Sequence, residues 1–223
     1  KAWDSFSKNP NQTRPETNTS LAALQDAVQG RQPVVMEAND DLSFFRAARI
    51  GKEFSLNLWV RGSGEEYRRL DAVKAARVPV IVPVNFPESP SVETPEEALN
   101  VSLEDMRHWD AAPENAGRLE KAGVPIALTA AQLKDAGTFL AQVRKAVERG
   151  LSADGALTAL TVNPAKWMGA DNQYGTLERG KTANILITDG DLFNEKTKSR
   201  EVWIDGKQYE VKAPPSTDVR GVW

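Results

Sequence analysis

The chain has 223 residues, no cysteine, 40% hydrophobic residues and a formal charge of -3 at neutral pH. Disulfides and thiolate metal sites are excluded, and the apolar content suffices for a sizeable core. Acidic and basic residues are interspersed without a basic stripe, which argues against nucleic acid as the main partner. No apolar run approaches the roughly 18 residues of a membrane-spanning helix.

The chain begins at Lys1 rather than at Met and shows no signal-peptide pattern, so it is expected to be a piece of a longer protein. No compartment is implied. Residues 1–20 are rich in Asn, Thr, Ser and Pro and read as an irregular arm, with Trp3 and Phe6 as anchors. A helix is expected over Leu21 to Gln29, with Leu21, Leu24 and Val28 on one face and Gly30 as its stop.

From there a strand-then-helix plan recurs four times. Strands are expected near 33–38, 56–61, 78–84 and 124–129. The third, Val78 to Val84, is apolar throughout and rich in β-branched residues, the composition of a strand buried on both faces. Helices are expected over Asp41 to Phe54, Glu65 to Ala76, Ser102 to Ala122, Thr138 to Glu148 and Ala153 to Met168, with a long loop from Asn85 to Asn100. Phe44, Phe45, Ala48 and Phe54 are the expected buried side of the first of these. Asn39-Asp40-Asp41 reads as its N-cap. Glu65, Glu66, Arg68 and Arg69 read as a solvated helix face. Alternating strands and helices imply a parallel sheet with right-handed crossovers.

The last stretch carries the most specific pattern. Asn163-Pro164-Ala165-Lys166 runs to Gly169. Gly175 to Asn184 then leads into a strand, Ile185 to Ile187, and Val202 to Lys207 reads as a hairpin around Gly206. This run closely resembles the C-terminal end of the amidohydrolase superfamily, in the branch around imidazolonepropionase and related cyclic-amide hydrolases. One departure is Asn184, where that family usually has Asp. The resemblance implies the fold: α/β, four βα units equivalent to the second half of a (β/α)8 TIM-like barrel, and a small C-terminal β segment of a composite β-sandwich. It divides the chain into an arm at 1–20, a half-barrel at 21–170 and a β segment at 171–223.

The resemblance also implies where chemistry would sit. Barrel active sites lie at the C-terminal ends of the strands, and this family uses zinc or another divalent metal to activate water. The fifth family strand ends in a ligating His; that place is taken here by Glu37. The sixth also ends in His; the place falls on Arg61 or a neighbour. The eighth carries a catalytic Asp, where Ala131 stands. The His-x-His pair of the first strand has no counterpart. Glu37, with Asn39 and Asp40 nearby, is the remaining candidate ligand for a hard cation, and a Glu37–Arg61 salt bridge is the competing reading. Asn39, Asn85, Ala131 and Gln132 complete the candidate pocket. The single histidine, His108, falls in a helical region rather than at a strand end and reads as a surface or cap residue. Gly62-Ser63-Gly64 lacks the lysine and spacing of a phosphate loop and reads as a turn.

Two functional expectations follow. The chain is a C-terminal fragment of an amidohydrolase-like protein, from a family hydrolysing carbon–nitrogen bonds other than peptide bonds. It is itself without metal cofactor and inactive, with a structural or ligand-binding role. Alternatively, it is part of a true cyclic-amide hydrolase whose unusual site is completed by a missing N-terminal half. The expected partners are that missing half-barrel or a second copy of the chain, because an open four-strand sheet exposes two edges, and a small-molecule ligand.

Overall fold

A computed structural model of the protein describes residues 2–211. The last part of the expected 171–223 segment, residues 212–223, lies outside the described residues, as does Lys1. The expected irregular arm is in part helical: α1 spans Ala2–Lys8. Trp3 and Phe6 anchor on each other, edge to face at 5.9 Å, and Arg14 lies over the Trp3 ring. The helix expected over Leu21 to Gln29 divides into α2 (Thr19–Ala23) and α3 (Gln25–Val28). Its apolar face is not buried: Leu21 is 67% exposed, Leu24 54% and Val28 51%.

Four parallel strands follow in sequence order: β1 (Val34–Glu37), β2 (Leu58–Arg61), β3 (Val80–Pro83) and β4 (Ile126–Thr129). Between β1 and β2 runs α4 (Asp41–Phe54). Its N-cap Asp40 accepts a hydrogen bond from Ser43 N–H at 2.6 Å, which holds the Asp40 carboxyl below the usual range. Phe54, expected on its buried side, is exposed at the last turn. Between β2 and β3, a 3-10 turn over Glu66–Arg69 enters α5 (Leu70–Ala76). The long loop expected over Asn85 to Asn100 contains α6 (Pro95–Asn100), started by a capping box between Thr94 and Glu97 with Pro95 at the first helical position.

The region expected to be helical to Ala122 divides into α7 (Leu103–Ala111), a 3-10 turn and α8 (Asn115–Lys121). After β4 come α9 (Phe139–Glu148), α10 (Ala153–Leu160) and α11 (Val162–Trp167). The single helix expected over 153–168 breaks at Thr161 because Pro164 has no N–H to offer the Leu160 carbonyl and its ring excludes that group. A separate antiparallel sheet joins β5 (Ile185–Thr188), β6 (Ser199–Ile204) and β7 (Lys207–Glu210). Its hairpin turns on Asp205 and Gly206, both at positive φ as such a two-residue turn requires.

The core lies between the parallel sheet and its helices. Leu58, Val60, Val80, Val82 and Ile126 meet Phe44, Val73, Leu119, Val143 and Ala156 there. Strand alternation then puts Val35, Glu37, Trp59, Arg61, Ile81 and Ala127 on the opposite face. Trp167 of α11 packs on Trp59 with ring centres 5.6 Å apart. Arg144 of α9 ties the small sheet to the larger unit by donating to the carbonyls of Leu192 (2.9 Å) and Thr197 (3.0 Å). β1 and β4 are the edges of the four-stranded sheet.

Candidate functional site

The C-terminal ends of four adjacent parallel strands gather four of the six sequence-predicted site residues into two pairs. In register, Glu37 lies opposite Arg61 and Arg61 opposite Ile81. A guanidinium nitrogen of Arg61 stands 2.8 Å from a Glu37 carboxylate oxygen. The two ends of this pair differ in setting: the Arg61 side chain is 11% exposed and that of Glu37 68%. The hydrogen bond from Arg61, and then its charge, hold the Glu37 carboxyl below the usual range. Arg61 Nε is buried without a hydrogen-bond partner among the described residues.

The second pair joins the loops after β3 and β4. Asn85 donates from Nδ2 to Gln132 Oε1 at 3.1 Å. Gln132 has a left-handed backbone, φ 70°. Ala131 donates its N–H to Thr129 Oγ1 at 3.1 Å and carries no acid or base. Asn39 is exposed beside the buried Ala38, and no hydrogen bond links it to either pair. Asn85 and Gln132 line a cleft of about 480 Å³ with Phe86, Glu88, Lys134 and Asp135.

Sequence reasoning misread one acid. Glu66 is 6% exposed rather than part of a solvated face. Its carboxylate accepts from the N–H groups of Ser63 (2.7 Å) and Gly64 (3.3 Å) and from Asn115 Nδ2 (2.6 Å). Asn115, 1% exposed, in turn accepts from Tyr67 N–H at 2.8 Å. A side-chain carbon added at Gly62 would collide with Glu66 Oε1. This network fixes the loop that leaves β2 immediately after Arg61, so it holds the strand end from behind. The spacing Ser63-x-x-Glu66, a capping-box spacing, was the available signal.

His108 sits away from the strand ends. Its Nδ1 is 3.0 Å from the Tyr67 hydroxyl and its Nε2 is 3.6 Å from Glu65. It fastens α7 to the turn after β2. Among the described residues, no three His, Cys, Asp or Glu side chains form a group able to hold a metal ion. A mononuclear zinc site normally takes three protein ligands, so the residues described here do not fit the family's metal by themselves. Among the described residues, no helix is long and apolar enough to cross a membrane.

Comparison with known proteins places this geometry. A sequence profile described as "Amidohydrolase family" matches residues 70–212. No curated protein sequence matches the chain. Among solved structures, the chain is similar to an amidohydrolase from Thermotoga maritima MSB8: 25% identity, TM-score 0.68, covering 93% of this chain and 51% of that one. It shares its fold with a Xaa-Pro dipeptidase (20% identity, TM-score 0.61, 85% and 47% covered). The same holds for an ochratoxinase from A. niger (19% identity, TM-score 0.56, 91% and 47% covered). The chain therefore spans about half the length of these structures.

Proposed function

The chain belongs to the amidohydrolase family, and from that premise we propose that it is the C-terminal half-barrel of an amidohydrolase-like protein, with an ion pair where that family places metal ligands. Residues 21–170 are the half-barrel unit, and the β segment of a composite sandwich follows from 171. The half-barrel binds no catalytic metal and hydrolyses nothing by itself; its role is to complete a barrel and to hold a ligand at the strand ends. The observation that carries this reading is the Glu37–Arg61 contact of 2.8 Å across adjacent strand ends.

The physical argument is one of charge. A guanidinium is always protonated, donates only within its own plane and accepts nothing, so Arg61 cannot ligate a cation. Placed beside Glu37, it neutralises the one carboxylate that would otherwise attract a divalent ion. The open edges of β1 and β4 support the second part of the reading, because unpaired strand edges call for a neighbour. The missing N-terminal half-barrel is the proposed neighbour, and a second copy of this chain is the competitor.

A second reading is favoured by the cleft beside Asn85 and Gln132. In it, the chain is part of a true cyclic-amide hydrolase and lends Glu37, Arg61 and Asn85 for substrate contact in a site completed by the other half. One experiment addresses the first reading directly. The purified chain is assayed with cyclic amides and N-acyl amino acids, with and without added zinc, and its mass in solution is followed by light scattering. No turnover is expected. Zinc-dependent turnover that a chelator abolishes would overturn the proposal that the chain is inactive by itself.

A further inference from the structure

We infer that the outer helix layer carries a self-complementary surface through which two copies of this chain pair. The exposed stripe of α4 on one copy meets the exposed stripe of α6 and α7 on the other, and a two-fold axis repeats the contact in reverse. The inference does not rest on the half-barrel reading, because it uses the helices and leaves the β1 and β4 edges free.

The first stripe lies on α4. Phe44, Ala47 and Gly51 turn one side of that helix to the core. Leu42, Arg46, Arg49, Ile50 and Glu53 recur at helical spacing on another side, and all five are exposed. Arg46 and Arg49 form no salt bridge or side-chain hydrogen bond among the described residues. The second stripe runs along α6 and α7. Glu96 and Leu99 are neighbours on α6, and Leu103, Met106 and Arg107 share one side of α7. All are exposed, Leu99 at 86%. Glu93, just before α6, is exposed as well. The side chains of Glu93, Glu96 and Arg107 have no partner among the described residues.

One short turn brings the two stripes together in the outer layer. Arg69 pairs with Asp41, the first residue of α4, at 2.9 Å. Its neighbour Arg68 pairs with Glu104, in the first turn of α7, also at 2.9 Å. Both helices therefore start within reach of the same four residues, Glu66–Arg69.

The charges of the stripes are opposite and in matching order. Along α4 the ions run basic, basic, acidic; along α6 and α7 they run acidic, acidic, basic. Laid side by side, Arg46 and Arg49 face Glu93 and Glu96, Glu53 falls toward Arg107, and the apolar side chains between them lose contact with water. An anionic lipid or nucleic-acid surface would attract the two arginines and be repelled by the two glutamates. A second copy satisfies both.

Light scattering on the full 223-residue chain tests this. A concentration-dependent rise from 24.5 kDa toward twice that mass is expected up to about 200 μM. Salt at about 0.5 M should weaken the association at least about tenfold. Two charge-reversed variants separate this surface from the strand edges. Arg46→Glu/Arg49→Glu should stay monomeric, and so should Glu93→Arg/Glu96→Arg. Mixed, the two variants should regain the dimer, because opposite charges then face each other in both contacts; a folding defect would not be rescued in this way. A chain that stays monomeric at every concentration overturns the inference. So does association that either variant retains alone, which would assign it to the open edges of β1 and β4, and so does a mixture that fails to pair.

Discussion

Replacing Glu66 with alanine should destabilise the protein by about 2–4 kcal/mol. The figure is built from the donors left behind. Asn115 Nδ2, within a side chain only 1% exposed, loses its 2.6 Å partner; an unsatisfied buried donor costs about 1–3 kcal/mol. The N–H groups of Ser63 and Gly64 lose acceptors at 2.7 and 3.3 Å in a half-buried turn, adding about 1 kcal/mol together. Glu66→Gln separates charge from hydrogen bonding. The amide keeps one oxygen for the turn but sets its nitrogen against Asn115 Nδ2, donor facing donor. If Asn115 flips to accept, it abandons Tyr67 N–H. A loss of about 1–2 kcal/mol is expected for that variant. Gly62→Ala should imitate the alanine variant from the other side, since the new methyl occupies the place of Glu66 Oε1. Urea denaturation followed by tryptophan fluorescence is the assay, because Trp59 lies on β2 itself and packs against Trp167. A Glu66→Ala loss below about 1 kcal/mol would refute the reasoning, since exposed substitutions reach about 0.5 kcal/mol without any network.

Further expectations concern packing, capping and pH. Gly117→Ala should cost about 2–3 kcal/mol in the same denaturation experiment, because the added carbon would stand 2.5 Å from the backbone of Gly150 and 2.6 Å from Leu151 N, neither of which can swing aside. Thr94→Ala removes one half of the α6 capping box and should cost about 1 kcal/mol; a change within error would show that α6 frays already. For Glu37, the folded pKa lies below the ordinary carboxylate value. The pair's contribution is therefore present above that ordinary value and is lost as pH falls through the depressed one. Carbon-detected NMR titration of the Glu37 carboxyl should give a midpoint below that of a free glutamate and return toward it in Arg61→Gln. An unchanged midpoint in Arg61→Gln would remove the ion pair as its cause.

The half-barrel was legible because its strands are chemically distinct. Val78 to Val84 is apolar at every position, and β3 forms within it as one of the two interior strands of a parallel sheet. The Asp40 cap and the Asp205-Gly206 hairpin were legible for a similar reason: each is a local device whose residues lie side by side in sequence. The Glu66 network was not, because half of it is 49 positions away at Asn115. Charge alone made Glu66 look solvated, and only the tertiary partner explains its burial. The helix at Pro95–Asn100 was missed for the opposite reason. Prolines at 87, 90 and 95 read as loop punctuation, although Pro95 stands where a helix tolerates it best. Leu21, Leu24 and Val28 have helical spacing, yet spacing cannot say whether a surface exists to cover them.

The candidate site was legible in parts. Strand ends could be located from the strands, and the family resemblance marked them as the site, so Glu37, Arg61, Asn85 and Gln132 were named. That they form two separate pairs, one ionic and one of neutral amides, depends on strand register and on the loops after β3 and β4. Register follows from the packing of the whole sheet rather than from any single strand.

The claim that an ion pair stands where this family places metal ligands is tested most directly by metal retention. The purified chain is incubated with zinc or manganese, desalted and analysed by elemental mass spectrometry, alongside Glu37→Gln and Arg61→Gln. The account predicts no stoichiometric metal in the unaltered chain and no change in Glu37→Gln. One metal ion retained per chain and lost in Glu37→Gln would contradict it, and would make Glu37 a ligand rather than the partner of Arg61.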